Sequence, residues 1–329
     1  MIRLSIIIPT KNRCQYLQKA LLSIEKQKLD QSLFEIIICD NNSVDETKKI
    51  SYSFLNKFKN FKYIKTLEPG LHVGRNKGFQ EAKGDILIYI DDDVEVFPEW
   101  LTTINDIFKD DDVVLVGGKN LPKWEIFASN QILEMWKPNK NSDKILDCLS
   151  IIDLGNKIRE ISPYYVFGCN FSVRKNIIEK TKGFHPDGMP LEKIEYRGDG
   201  ETAISDFIKK NGYKTIYHPK ASVYHMVPEE RLTVKYFKKR GFDKGISNSY
   251  TDIRNGKFIT NKKNNVGIGS KIKKILKQFI KILFYKNKNK TNIYKKALLD
   301  GYSNGYNFHQ KKVGENTELK KWVLKDNYL

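Results

Sequence analysis

The sequence predicts an α/β protein: a mostly parallel sheet covered by helices on both faces. Three observations carry that prediction. Short apolar runs alternate with helical stretches, the pattern of strand–helix–strand crossovers. The runs are apolar at nearly every position, as strands buried on both faces must be. Hydroxyl and acidic residues follow several of these runs directly, where sheets of this kind bind their ligands.

In chain order, Leu4–Ile8 reads as a buried strand broken by Pro9. The stretch "CQYLQKALLSIEKQ" reads as a helix with Leu17, Leu21, Leu22 and Ile24 on its apolar side. "FEIIICDNNSVDET" predicts a second strand ending in Asp40 and a turn. A helix then opens near Ser43, with Glu46 at the capping-box spacing. "FKYIKTLE" is a third strand, "GRNKGFQEAKG" a helix ending at Gly84, and "DILIYIDDD" a fourth strand. Further on come a strand at "VVLVGG" and a helix around "NQILEMW". A helix then ends near Gly212, before short strands. Thr10, Asp40 and Asp91–Asp93 all fall at strand carboxyl ends. The sequence shows no internal repeat, and "KNKNKT" at 286–291 reads as a linker.

The chain of 329 residues accommodates one large domain, residues 1–250, and a basic, mainly helical extension, residues 251–329. Its net charge of +19 is uneven: residues 254–299 hold 14 Lys/Arg and no Asp or Glu. The rest carries 44 basic and 39 acidic residues. Such asymmetry points to an anionic surface partner for the extension. Four cysteines without a C-x-x-C pair fit a reducing compartment better than a disulfide framework. The sequence holds no signal-peptide core, and no apolar stretch reaches the roughly 20 residues that span a bilayer. The expected location is therefore cytoplasmic.

The stretch "LIYIDDDVEVFPEW", residues 87–100, ends an apolar strand in three carboxylates. Side chains alternate along a strand, so Asp91 and Asp93 converge while Asp92 points elsewhere. Converging carboxylates repel one another unless a cation lies between them. Hard oxygen ligands suit Mg²⁺ or Mn²⁺, which commonly bind one or two carboxylates together with substrate phosphates. Runs of acids also serve as plain surface turns; the buried strand before this one and the other strand-end residues favour the metal.

Five segments, "SIIIPTKNR", "IIICDNNSVDET", "GRNKGFQEAKGDILIYIDDDVEVFPEWL", "FGCNFSVRKNIIEKTKGF" and "GDGETAISDFIKKNGYKTIYHPKASVYH", resemble in order the motifs of family 2 glycosyltransferases. The resemblance covers about residues 3–250 and implies the GT-A fold, a Rossmann-like nucleotide-binding sheet. It also implies transfer of a sugar from a nucleotide diphosphate donor, with inversion and with Mn²⁺ or Mg²⁺. Carried over residue by residue, Asp91 and Asp93 match the family's D-x-D. Asp93 is then the main metal contact, with Asp91 nearer the ribose and phosphates and Asp92 beside the nucleotide-sugar. Asp40 matches the carboxylate facing base and ribose, and Pro9, Thr10 and Arg13 the pocket wall. Arg75 and Asn76 match the pair alongside the nucleotide. His225 matches a histidine that completes the metal site in some relatives, while Gly168 and Asn170 match a segment against the donor sugar.

Counting back from Gly212–Tyr213 puts Glu201 at the family's catalytic carboxylate, the general base, with Asp199 in reserve. Gly200 stands where many members carry a second acid, so the chain departs from the usual pair. A uridine diphosphate donor follows from family habit, with GDP and dTDP donors left open. The acceptor is expected to be a saccharide or a lipid-linked saccharide, as in bacterial surface-polysaccharide assembly.

The stretch 271–286, "KIKKILKQFIKILFYK", places Ile272, Ile275, Leu276, Phe279, Ile280 and Leu283 on one stripe. Lys271, Lys274, Lys277, Gln278 and Lys281 lie on the other side. This is the pattern of a helix in a membrane interface, which predicts a protein held on the inner face of the plasma membrane. A helix docked on the domain with solvated lysines shares the pattern. A nucleic-acid-binding protein with an α/β core is a rival, but no nucleic-acid motif is present. A sugar nucleotidylyltransferase is another, and "PTKNRCQ" lacks the glycine-rich phosphate loop it would need.

Overall fold

The structure, a computed structural model, describes residues 2–257 and 292–329. The expected amphipathic helix at 271–286 lies outside the described residues. The strands are β1 (Leu4–Thr10), β2 (Phe34–Asp40), β3 (Phe61–Lys65), β4 (Ile86–Ile90), β5 (Val94–Val96), β6 (Val113–Gly117) and β7 (Asn120–Trp124). β8 (Lys144–Leu146), β9 (Ile151–Asp153), β10 (Arg159–Glu160), β11 (Asn170–Arg174), β12 (Lys214–Tyr217) and β13 (Val223–Val227) follow.

Eight strands form the main sheet in the order β10-β12-β6-β11-β4-β1-β2-β3. β1 pairs in parallel with β2 and β4, and β2 with β3. The sheet is mixed, because β11 runs antiparallel between β4 and β6. The register Thr10↔Asp40 brings two strand-end residues side by side. A second sheet, β5-β13-β7-β9-β8, stands beyond the strand ends. There β13 pairs antiparallel with β5, His225 opposite Val94, which carries this histidine to the acidic turn.

Helices α1 (Cys14–Glu25), α2 (Thr47–Ser53), α3 (Leu71–Glu81) and α4 (Trp100–Ile107) follow the early strands. After them come α5 (Asn130–Met135), α6 (Lys175–Thr181) and α7 (Thr202–Lys210). Each face of the main sheet has its own apolar core. One joins Ile6, Ile8, Ile36, Ile38 and Ile88 to Leu17 and Leu21 of α1 and Trp100, Leu101 and Ile104 of α4. The other joins Ile7, Ile37, Leu87, Tyr89 and Phe171 to Phe79 of α3, Ile177 and Ile178 of α6, and Ile204 and Ile208 of α7. Odd and even residues of one strand serve opposite cores, which is why β1 and β2 read as unbroken apolar runs.

Three local expectations are corrected. β1 does not stop at Pro9 but continues to Thr10. Pairing with β4 ends at Ile7, so on that side no ladder needs the amide hydrogen that proline lacks. No capping box forms at Ser43: α2 begins at Thr47, the Ser43 amide donates to Asp40 Oδ1, and its hydroxyl accepts from the Asn12 amide. α3 starts at Leu71 and ends at Glu81, and its buried side includes His72, Arg75 and Asn76, so hydrophobic spacing undercounts it.

The C-terminal part is a helix pair, α8 (Val234–Arg254) against Ile293–Glu315, followed by a short helix Thr317–Val323. Glycines at 241, 245, 301 and 305 let the two backbones touch. A Cβ on Gly245 would lie 2.2 Å from the carbonyl oxygen of Tyr302. The chain end folds back under α3, where Asn76 Nδ2 donates to the Tyr328 carbonyl at 3.1 Å.

Candidate active site

Just beyond the end of β4, in the turn that leads to β5, the three acids separate. Asp92 turns toward β1: Thr10 Oγ1 donates to its Oδ2 at 2.7 Å, and Arg13 Nη1 to its Oδ1 at 2.8 Å. Asp93 turns toward the second sheet, its Oδ1 3.4 Å from His225 Nε2. Its Oδ2 accepts from Arg231 Nη2 at 2.7 Å and lies 3.0 Å from Arg13 Nη1. Burial pushes the Asp92 carboxyl up to about 7, against the pull of Arg13. Burial opposes ionisation of Asp93 as well, but His225, Arg231 and Arg13 outweigh it and hold this carboxyl far below the usual range.

Ligand atoms of Asp91, Asp93 and His225 lie within 4.8 Å of one another. Asp93 Oδ1 is buried and has no hydrogen-bond partner among the described residues. Two carboxylates and an imidazole with an orphaned oxygen between them form a donor set that fits Mn²⁺ or Mg²⁺. The site is not built for a metal alone, because Arg13 and Arg231 already offset much of the negative charge on Asp93.

Arg75 is buried and spans two acids, Nη1 3.2 Å from Glu201 Oε2 and Nη2 3.4 Å from Asp91 Oδ1. Its guanidinium lies 5.2 Å from the Phe184 ring centroid. Gly168 makes room for it: a Cβ there would fall 2.4 Å from Arg75 Nη2. The Gly168 amide donates to Glu201 Oε1 at 3.1 Å. Glu201, at the start of α7, is thus held at both oxygens while its side chain stays 27% exposed. It faces a cavity of ≈ 200 Å³ that Arg75, Asp91 and Gly168 also line.

The remaining candidates are placed less openly. Asp40 is buried, accepting from the Ser43 amide at 2.8 Å and from the Tyr63 hydroxyl at 2.5 Å. Pro9 ends the apolar part of β1 beside Cys39. Asn76 points away from the acids. Its Oδ1 accepts from the Phe184 amide, and its Nδ2 donates to the carbonyls of Phe184 and Tyr328. Asn170 is equally committed, bound to Trp100 Nε1, Asn120 and the Ala221 carbonyl. Asp199 lines the cavity, but its oxygens are taken by His185 Nδ1 at 2.7 Å and Thr251 Oγ1 at 2.6 Å.

Gly200 has φ of +56°, a left-handed conformation that glycine favours. The Asp187 carboxylate lies 3.1 Å from where a side chain at 200 would begin, so an acid there would meet an acid. Arg231 escaped the sequence reading. It sits in a short 3₁₀ turn, Glu229–Leu232, whose polar sequence gives no periodic signal. Its nearness to His225 in the chain was the only available clue.

Residues 5–181 match the Glycosyl transferase family 2 model. Over 115 residues the chain is 32% identical to Glycosyltransferase AglE of Haloferax volcanii, covering 35% of this chain and 38% of that protein. Over 106 residues it is 35% identical to GalNAc(5)-diNAcBac-PP-undecaprenol beta-1,3-glucosyltransferase of Campylobacter jejuni, covering 32% and 34%. The matches therefore span little more than a third of these relatives' lengths. Among solved structures, mannosyltransferase PcManGT from Pyrobaculum calidifontis, in complex with GDP-Man and Mn2+, superposes with a TM-score of 0.57. The identity is 14%, over 98% of this chain and 83% of that one, a likeness of fold. With its mixed central sheet, helical C-terminal region and family match over more than half its length, the chain has a GT-A-like fold and belongs to glycosyl transferase family 2.

Proposed function

We propose that the chain is a metal-dependent inverting glycosyltransferase that moves a sugar from a nucleotide diphosphate sugar, with uridine as the expected base, to a saccharide or lipid-linked acceptor. The observation that carries this reading is Arg75 bridging Asp91 of the acid cluster and the partly exposed Glu201. One guanidinium thereby couples a donor-side group and a base within one small cavity.

In this reading Asp91, Asp93 and His225 hold Mn²⁺ or Mg²⁺. The ion supplies charge neutralisation for the departing diphosphate. Thr10, Arg13, Asp40 and Asp92 flank the nucleotide at the strand ends. Glu201 accepts the proton of the attacking hydroxyl, oriented by Arg75 and the Gly168 amide. Each of its oxygens keeps a lone pair beyond those hydrogen bonds. Attack from the side of Glu201, away from the leaving diphosphate, inverts the anomeric centre. Asp199, buried and held by His185 and Thr251, serves here as the support of the loop that carries Glu201.

The matched relative from Campylobacter jejuni, named for an undecaprenol-linked acceptor, supports lipid-linked saccharide as the acceptor class. No described helix is long and apolar enough to cross a membrane. The basic run 254–299 supports peripheral attachment to an anionic membrane surface on the cytoplasmic side.

A thermal-shift panel tests the reading: UDP-, GDP- and dTDP-sugars and their diphosphates, each with and without Mn²⁺. A native-state ligand raises the melting temperature by mass action. A metal-dependent rise with at least one nucleotide is expected, and none across the panel would overturn the reading.

A further inference from the structure

The cavity that Glu201 faces is rich in charge, lined by five acids and four cations. Its acids all have partners. Asp187 Oδ1 lies 2.5 Å from Arg197 Nη2, and Asp243 Oδ2 lies 2.9 Å from Lys239 Nζ. Asp199 is bound by His185 and Thr251, and Asp91 and Glu201 share Arg75.

Two cations in the lining make no such direct contact, although Asp243 and Asp187 act on Arg240 through space. Arg240 and Lys244 stand one turn apart on α8 and both line the cavity. Arg240 directs Nε to the Cys148 carbonyl at 3.0 Å, which orients the fork and leaves its two Nη groups over. Neither Arg240 nor Lys244 is in ion-pairing distance of a carboxylate among the described residues. A partly buried guanidinium beside a free ammonium, facing a cavity of ≈ 200 Å³, is a preset anion site.

Resting on the proposed glycosyl transfer, we infer that Arg240 and Lys244 bind a phosphate ester carried by the acceptor, while Glu201 in the same cavity takes the proton from its hydroxyl. The acceptor is then a phosphorylated saccharide, in which the phosphate anchors the molecule and the sugar presents the nucleophile. Arg240 and Lys244 lie outside the nucleotide and metal groups, so acceptor and donor are read by separate cations. The phosphate could belong to a prenyl-phosphate lipid or to a soluble sugar phosphate. The chemistry at the two side chains is the same.

Titration calorimetry on the full chain tests this with N-acetylglucosamine 1-phosphate, farnesyl phosphate and neutral methyl N-acetylglucosaminide. Wild type is expected to bind both phosphates and to bind the neutral glycoside far more weakly. Lys244→Gln should weaken phosphate binding roughly tenfold, and the Arg240→Gln, Lys244→Gln double variant roughly a hundredfold. Lys244 is exposed, so its variant leaves the fold intact, and Arg240→Lys should recover part of the loss. Tighter binding of farnesyl phosphate identifies a lipid source, and equal or weaker binding a soluble one. Wild-type phosphate affinity in the double variant, or equal affinity for the neutral glycoside, would overturn the inference. The metal-dependent nucleotide shift is read on the same proteins. Its absence in wild type counts against glycosyl transfer, and its persistence beside lost phosphate binding supports the separate site.

Discussion

Arg231 donates to Asp93 at 2.7 Å although 138 residues separate them in the chain. The same guanidinium approaches His225 Nε2 at 3.3 Å. Together with Arg13, it supplies part of the charge relief that the sequence assigned entirely to a metal ion. The acid cluster is thus held together before any cation arrives, and a cation must share Asp93 with two arginines.

That sharing makes Arg231 a competitor. Arg231→Gln should raise the affinity for Mn²⁺ alone by up to about fivefold, the value of one partly exposed ion pair. Asp93→Asn should do the opposite, abolishing metal-dependent nucleotide binding. It should also lower the unfolding free energy by about 3–5 kcal/mol, since it leaves two arginines without their shared acid. Calorimetry with Mn²⁺ and denaturant melts measure both. Unchanged Mn²⁺ affinity in Arg231→Gln would show that the arginine does not compete.

Glu201 and Asp199 divide into chemistry and support. Glu201→Gln should cut turnover by roughly 10² to 10⁴ while donor affinity stays near wild type. Asp199→Asn weakens the grip on His185 and Thr251 and should lower thermal stability first, with a smaller effect on turnover. Steady-state kinetics beside a melting curve separates them. The reverse pattern would move the base to Asp199.

The glycine contacts of the C-terminal helix pair leave no room for a methyl group. A Cβ on Gly301 or Gly305 would lie 2.0 Å from the carbonyl oxygen of Lys238 or Phe242. Backbone atoms cannot rotate away, so Gly305→Ala forces the helices apart. The expected loss is about 1–3 kcal/mol despite the better helix propensity of alanine. Thermal unfolding checks it, and a stabilised variant would mean that the pair separates without penalty.

His309 supplies a pH dependence distant from the acid cluster. It is fully buried, its Nδ1 2.8 Å from Ser249 Oγ, and burial lowers its pKa from 6.5 to about 4. Folding therefore favours the neutral ring. Its contribution is fully present above pH 6.5 and is lost as the pH falls from there toward about 4. The loss amounts to about 3 kcal/mol. Melting temperatures of wild type and His309→Gln should converge over that interval, and parallel curves would refute the assignment.

Much of the front half was legible because its signals are local. The isoleucine runs of β1, β2 and β4 and the acids after them show in the chain order itself. Burial on both faces and strand-end placement follow from period-two geometry. Spacing likewise separated Asp92 from Asp91 and Asp93. Asn76 and Asn170 were a different matter. Both match family positions, yet the structure commits their amides to Phe184, Tyr328, Trp100 and Asn120, partners no spacing reveals.

The sequence by itself determined the α/β class, the strand ends that collect the acids, and Glu201 as the acid to test. Only the tertiary structure decided that β11 runs antiparallel through the sheet, and that a second sheet carries His225 to Asp93. It also brought Arg231 onto the acid turn and made glycines the seam of the C-terminal helices. The physical reason is that helix and strand periods are written over a few neighbouring residues. Pairing across tens or hundreds of residues depends on which faces meet once the core has formed, and no local pattern encodes that choice.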